Sequence, residues 1–456
     1  MEKDLKADIC IVGGGSGGLG AAICSARSSC RTILVEKEKI LGGNSTLCGV
    51  NCWEPVAGVA YGLPAELYRR MRSIPNGCGI YHNAKHFCLK DPARKDFPGA
   101  LFRIDPSLGY KDTLKRGYIY GGTFEESMEK WNGVIFEPSA LHNCALQILR
   151  EAGAEVILGH GCREVECANG RIVSIRLDDG RRIFADYWID NTGLLAASAK
   201  CPLFMGQDPA CLYKEPDAPE VPGISLNGVT LLFRVTPCGE KRNLPEEEGR
   251  RGVMVATQYP NGDYNCNMLP TMSGNDFFVM ERELAMEEMR CRVKEFWNYV
   301  QKNFSWGREF QLKEICTKPG IRESFRTGCC YMLNENDLLA GVKEQEHNDL
   351  IAIADHQMDL HGAPAPRRIV HPYGIPYRCL LPEGVENLLV AGRVGGFSFL
   401  ASSSCRLSRT MIRLGEAAGT AAAMAVKEKR ELGKIDIKKL RKLLAFQEEL
   451  SALCVK

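Results

Sequence analysis

Glycines at 13, 15 and 18, followed by a carboxylate at 36, have the spacing of a cradle for a phosphate-bearing ligand. In Gly13-Gly14-Gly15-Ser16-Gly17-Gly18 the first glycine permits a tight turn. Gly15 lets the backbone approach a pyrophosphate, and Gly18 lets the following helix pack closely. The start of that helix presents unpaired N–H groups and a partial positive charge. Glu36 can accept hydrogen bonds from ribose hydroxyls and would repel a 2′-phosphate. Gly-x-Gly-x-x-Gly alone is a weak signal; its place after a strand and before a helix gives it weight.

A second group of residues could move protons or hold anions. Arg322, His356, His361, His371, Tyr373, Tyr377 and Arg406 cluster late in the chain. An imidazole with a pKa near ~6.5 takes either proton state at neutrality. His361, two residues beyond Asp359, is the preferred proton carrier, with His371 second and Tyr377 a further donor. Arg322 and Arg406 offer forked donors to a substrate carboxylate or hydroxyl, or equally to a structural acid or the cofactor. Cys48 and Cys52 could act as thiolates beside a cofactor, but packing as small apolar side chains is the simpler reading. Cys78, His82, His86 and Cys88 have soft-ligand spacing without a helix to gather them, so no metal is assigned and the question stays open. The vicinal pair Cys329-Cys330 is given no role.

The elements that must position these groups follow from periodicity. A β-branched strand at 8–12, an Ala-rich helix at 17–29 and a strand at 32–36 make a βαβ unit at the N-terminus. Residues 50–130, rich in Gly, Pro and aromatics, read as a loop-rich insertion covering a site. A helix is expected at 139–153. A β-meander follows at 155–158, 165–168, 171–177 and 182–189, with turns at Asn169-Gly170 and Asp179-Gly180. Strands at 229–235 and 252–256 and a helix at 281–302 suggest a substrate-facing unit. A strand at 387–391, a small-residue helix at 406–427 and an amphipathic helix at 432–453 close the chain. The fold class is thus α/β, a discontinuous Rossmann-like domain (1–200 and 385–456) with an inserted α+β substrate or cap domain (201–384).

Three features favour FAD over NAD. Gly42-Gly43 follows Glu36 where a flavin enzyme's chain turns back over the pyrophosphate. Two strands also run into glycines, at Asn191-Thr192-Gly193 and at Gly392-Arg393, where the backbone could pass close to an extended cofactor.

These pieces resemble the FAD-dependent oxidoreductase family of the glutathione-reductase-like flavoproteins, distantly related to fumarate reductase and aspartate oxidase flavoprotein subunits. The matching stretches are DICIVGGGSGG (8–18), IDNTG (189–193), PGIRES (319–324), YGIPYRCL (373–380), NLLVAGR (387–393) and LGEAAGTAAA (414–423). The resemblance implies that Gly392 and Arg393 lie by the ribityl chain and that a helix entered at Arg406 points at the flavin's N1–O2 edge. A positive helix end there favours electron uptake. The residues expected to hold FAD are Gly13, Gly15, Ser16, Gly17, Gly18, Glu36, Lys37, Gly42, Gly43, Asn44, Ser45, Thr192, Gly193, Gly392, Arg393, Arg406 and Gly415. The chain departs from the family at Phe325, where a second arginine is common, and in the run Ser402-Ser403-Ser404-Cys405 before Arg406, where a glycine is common. Both changes fall near the expected substrate side.

Composition narrows the partners. The 456 residues carry 58 basic and 56 acidic side chains, a net charge of +2, which gives no support for nucleic-acid or anionic-membrane binding. The charged N-terminus and the lack of a long apolar run read against a signal peptide and a membrane helix, and a cytoplasmic protein is the expectation. The 21 cysteines, none in a Cys-x-x-Cys pair, read as reduced thiols rather than a disulfide frame or an iron–sulfur site. The expected function is hydride transfer between flavin N5 and a small polar organic substrate, either hydroxylated (a sugar or hydroxy acid) or bearing an activated double bond. With one dinucleotide fingerprint, electrons come from or leave to a separate donor or acceptor. A non-redox flavoenzyme (isomerase or lyase) and a flavin electron-transfer subunit are the alternatives. A homo-oligomer is the default assembly.

Overall fold

The computed structural model describes residues 4–85, 97–114, 131–238, 248–323, 325–360 and 366–454. The apolar run near the N-terminus forms the strand Leu5–Val12, which is central in a seven-stranded sheet. Across that sheet run Glu155–Leu158, Thr32–Glu36, Leu5–Val12, Arg182–Asp190, Arg171–Leu177 and Cys162–Ala168, with Leu388–Val390 also paired to Arg182–Asp190. The pairs joining the first four strands and Leu388–Val390 are parallel, and the last three strands form an antiparallel meander. Parallel strands covered on both faces read as unbroken apolar runs, which is why Thr32–Glu36 is buried throughout.

Two helices lie backbone to backbone beside this sheet. Ser16–Arg27 packs on Ser408–Glu428, and glycines make the approach possible. A Cβ on Gly415 would stand 2.0 Å from the carbonyl oxygen of Gly17, and one on Gly419 would stand 2.2 Å from that of Ala21. The small-residue pattern at 414–423 is therefore a packing requirement.

A second, eight-stranded sheet runs Phe310–Ile315, Phe233–Pro237, Tyr264–Met268, Met254–Gln258, Gly99–Ile104, Cys78–Lys85, Gly133–Phe136 and Cys52–Trp53. The helix Arg282–Asn303 covers one face with Met286, Met289, Val293, Phe296, Trp297 and Val300. The sheet curls: Asn265 Nδ2, on its third strand, donates to Gly49 O at 2.8 Å and Asn51 Oδ1 at 2.7 Å, just before its edge strand. The α/β class, Rossmann-like with a further α+β layer, is as expected from sequence.

Several expectations need correction. The 50–130 stretch, read as loops, supplies the helix Leu63–Arg72 and three strands of the second sheet. Their partners, Gly133–Phe136 and Met254–Gln258, are remote in sequence, so local periodicity could not reveal them. The helix expected from Arg406 starts at Ser408, and Arg406 instead ends the short helix Phe399–Cys405. The expected last helix is divided into Ile437–Leu443 and Phe446–Cys454, with Ala445 at φ 51° between them. Among the described residues no helix is long and apolar enough to cross a membrane.

The C-terminal helix is tied down by a buried charge cluster. Arg413 NH1 bonds Glu416 Oε2 at 2.8 Å, and its NH2 lies 3.1 Å from Glu449 Oε1. Two carboxyls share one guanidinium, and burial pushes Glu449 up to about 8 despite Arg413, with Glu416 and Glu448 adding to the rise. The folded state thus holds a proton that the unfolded chain, with a pKa of 4.5, gives up earlier. That contribution to stability is fully present below pH 4.5 and is lost as pH rises through about 8. Glu449→Gln is expected to flatten the fall of Tm between pH 5 and 8.5, read by thermal unfolding with FAD in excess. Gly415→Ala, which drives a methyl into the helix contact, should cost ~1–3 kcal/mol in the same assay at any pH.

Candidate active site

Two cavities adjoin along the seam between the sheets. The first, about 660 Å³, opens at the start of the helix Ser16–Arg27. Its wall carries Gly13, Gly15, Ser16, Gly17, Glu36, Lys37, Gly43, Asn44, Thr192, Gly392 and Arg393. The second, about 560 Å³, lies against the curled sheet and includes Arg322 and Arg406. Asn44, Ile321, Arg393 and Ser408 line both, so a long ligand in the first cavity reaches into the second.

The first cavity has the features a dinucleotide needs. Gly15 caps its helix in extended conformation without a side-chain bond, leaving the first-turn N–H groups facing outward. A Cβ on Gly15 would lie 2.8 Å from Asn191 Nδ2, and one on Gly17 would lie 2.6 Å from Asn191 Oδ1, so side chains there would fill the cradle. Gly13 sits at φ 97° in the turn. Glu36 Oε2 accepts from Gly14 N at 2.6 Å and Oε1 from Glu38 N at 2.9 Å, which fixes the carboxylate at the end of its strand. Lys37, Arg282 and Lys318 add positive charge to the wall. Backbone donors, a ribose acceptor, surplus cations and a continuous path into the second cavity fit an FAD.

Other expected residues act from behind. A Cβ on Gly18 would stand 1.8 Å from Gly13 O, so this glycine closes the turn onto the helix. Gly42 and Gly193 are left-handed turn residues at φ 104° and 83°. Ser45 Oγ bonds Ser408 Oγ at 3.0 Å, and Gly415 makes the helix contact already described. Asn191, absent from the expected set, lies between the glycine loop and Gly392, and the fully buried Asp190 builds its turn. Asp190 accepts the N–H groups of Thr192, Gly193 and Ala196. Strand-end Asp-Asn before Thr-Gly was the available signal.

Arg322, Arg393, Arg406 and Arg409 line the second cavity. Arg406 is ion-paired to Asp359. Arg322 NH1 donates to Gly228 O at 2.9 Å and Thr230 Oγ1 at 2.7 Å, and Arg393 NH1 donates to Ile321 O at 2.6 Å. Burial, then the charge of Arg406, pushes Arg322 down to about 9 and Arg393 down to about 10. A site that disfavours its own cations in this way favours an anionic guest.

Of the expected proton carriers, His361 lies outside the described residues. His371 is exposed and Tyr377 is buried with its hydroxyl on Leu432 O at 3.0 Å; neither is on either cavity's wall. His356 is on the wall of the second cavity, its Nε2 3.4 Å from Glu54 Oε2 and its Nδ1 2.5 Å from Gln357 O. Glu54 itself was missed, because nothing local marks a carboxylate brought in by sheet curling. Arg326, beside the departure at Phe325, is 1% exposed and ion-paired to Asp208 at 2.5 Å, which makes it a structural group. Burial pushes the thiols of Cys48 and Cys52 up to about 11 and about 12, so both stay protonated near neutrality. Cys78 is buried on its strand, His82 follows on the same strand, and His86 and Cys88 lie outside the described residues. Among the described residues only His160, Asp178 and Asp179 gather at metal-like distances; they are surface groups bonded to one another.

Gly15→Val is expected to abolish flavin retention, and Glu36→Ala to weaken FAD binding by about 10-fold or more, as for a lost charged hydrogen bond of ~1.5–3 kcal/mol. The ratio of flavin to protein absorbance after gel filtration, then titration of apoprotein with FAD, reads both.

A family model described as FAD dependent oxidoreductase matches residues 8–444. Digoxin reductase of Eggerthella lenta is 25% identical over 195 residues, 40% of this chain and 34% of that protein. The mitochondrial dihydrolipoyl dehydrogenase of Schizosaccharomyces pombe is 37% identical over 116 residues, 25% of this chain and 18% of that protein. The chain thus spans about a third or less of the length of these curated relatives. A geranylgeranyl bacteriochlorophyll reductase-like protein of Thermoplasma acidophilum aligns with 98% of this chain and 84% of its own, at 12% identity and a TM-score of 0.48. The chain belongs to the FAD dependent oxidoreductase family, and its cofactor is FAD.

Proposed function

We propose that the protein oxidises or reduces a small organic anion held in the second cavity. The observation that carries this reading is the meeting of Arg322, Arg393 and Arg406 where that cavity adjoins the FAD cavity. Bound FAD supplies the two-electron chemistry, exchanging a hydride with the substrate at its N5.

The chain's own residues do the rest. Arg322 and Arg406 hold a carboxylate through their forked donors, and Asp359 keeps Arg406 in place. His356 carries the proton. Its Nδ1 faces a carbonyl oxygen, which can only accept, so that nitrogen bears a hydrogen. Its Nε2 faces Glu54, and an imidazole lone pair facing a carboxylate would repel it. Nε2 lies 3.4 Å from Glu54 Oε2, and the two groups are placed to give a proton to the substrate or to take one from it. The pair is fixed from behind: Ser404 hydroxyl donates to His356 O, and Arg409 donates to Glu54 O and, at 2.9 Å, to Thr113 Oγ1. Leu232, Met358 and Leu407 on the wall keep water from the reacting atoms.

On this reading, residues 1–200 and 385–456 form the FAD-binding unit and 201–384 the substrate unit, joined by the strands of 52–136. A separate donor or acceptor completes the electron balance. The cysteines, free among the described residues, suit a reducing cytoplasm.

His356→Gln and Glu54→Gln should each lower kcat by about 10²–10⁴-fold with FAD content unchanged. Arg406→Lys should raise KM by about 10-fold, because a point charge cannot replace a fork. Anaerobic stopped-flow absorbance of the flavin, with pools of hydroxy acids against oxidised protein and of unsaturated acids against reduced protein, measures these rates. A full-rate His356→Gln removes the proton pair from the mechanism, and a flavin indifferent to every anion pool defeats the reading.

A further inference from the structure

The second cavity is not uniformly polar. Its cationic end is the one fixed by Arg393 and Ser408, which also line the FAD cavity. Trp53, Tyr81, Phe102 and Trp131 line the second cavity alone, and Val255 and Leu269 extend that apolar wall. Three rings from the curled sheet, and Trp131 just before its strand Gly133–Phe136, therefore face a space that the guanidinium groups reach from the FAD side. A small sugar or short hydroxy acid would leave that wall in contact with water.

Among the described residues, three side chains of this cavity carry an unsatisfied polar atom: Trp53, Asn267 and, through its Nε, Arg409. Trp53 is 2% exposed and its Nε1 has no hydrogen-bond partner; Asn267 Oδ1 is likewise buried and unpartnered. The neighbouring amides are satisfied: Asn265 Nδ2 is bonded to Gly49 O and Asn51 Oδ1, and Asn51 Nδ2 to Tyr259 OH. A buried donor and a buried acceptor without partners cost stability unless a guest satisfies them. A hydroxyl can both accept and donate, so it suits either atom.

We propose that the substrate is an aromatic carboxylic acid bearing a ring hydroxyl, its carboxylate on the arginines and its ring against Trp53, Tyr81, Phe102 and Trp131. This rests on the second cavity being the substrate site, and it narrows the substrate from small organic anions to phenolic ones. The ring gains contact area along the apolar wall, and the hydroxyl gains the unsatisfied atoms.

The test is equilibrium binding to oxidised holoenzyme, read by perturbation of the flavin spectrum under anaerobic conditions. The probes are 3-(4-hydroxyphenyl)propanoate, 3-phenylpropanoate, hexanoate and 4-ethylphenol. The hydroxyaryl acid should bind about 10-fold tighter than each of the others. Trp53→Phe keeps a ring against Phe136 but removes the donor, and should erase the preference for hydroxyaryl over aryl acid. Asn267→Leu reads the same hydroxyl from the other atom if Trp53→Phe loses FAD. Hexanoate binding as tightly as the aryl acids overturns the aromatic assignment while leaving the anion site standing. Equal affinity for the two aryl acids in the unaltered protein overturns the hydroxyl. No binding by any carboxylate overturns both this proposal and the anion-site reading beneath it.

Discussion

The backbone contact between the helices Ser16–Arg27 and Ser408–Glu428 is the constraint on which the site depends. Gly17 and Gly415 touch main chain to main chain, and no side chain fits between them. That contact brings a glycine cradle from the first turn of the chain beside Ser408, which lines both cavities. Arg406 enters the second cavity because its helix ends two residues earlier. A chain that separated these helices by one methyl would lose the alignment of the cradle with the arginines, although each helix could still form.

Charge is arranged to match that geometry. The first cavity has backbone donors and the cations Lys37, Arg282 and Lys318, suited to a phosphate-bearing ligand. The second has recessed guanidinium groups, of which Arg322 and Arg393 donate to neutral oxygens. Burial and the charge of Arg406 push Arg322 down to about 9, a cost that an anion bound beside it would offset. Asp359 offsets one guanidinium and leaves the group cationic.

The curled sheet supplies what the Rossmann-like sheet cannot. A parallel sheet presents loops at its strand ends, good for a cofactor but poor for enclosing a substrate. Here strands from 52–136 and from 233–315 join side by side, and the Asn265–Asn51 bond draws the edge inward. The result is an apolar face carrying Thr257, Asn265 and Asn267 opposite the arginines. Glu54 follows the edge strand directly, which sets it beside His356 from the far end of the chain.

The residues that bind by backbone shape were legible in the sequence because their signal is local. Gly13, Gly15 and Gly18 need a turn and a close helix, and Glu36 needs only to end the next strand, so spacing along the chain states the geometry. The β-meander over 162–190 was legible for the same reason, since Asn169-Gly170 and Gly180 take left-handed turns, whereas Glu155–Leu158, expected to be part of it, pairs in parallel with Thr32–Glu36. The meeting of His356 with Glu54 was not: Asp359, two residues before His361, is paired to Arg406, while His356 on the wall of the second cavity lies beside a carboxylate. That meeting depends on Glu54, some three hundred residues away, and on strands whose partners are equally remote. Local conformation is fixed by neighbours a few residues apart, so the cofactor and its cradle could be read directly. The second cavity is made of non-local pairings and burial, and only the tertiary structure decided which side chains share it.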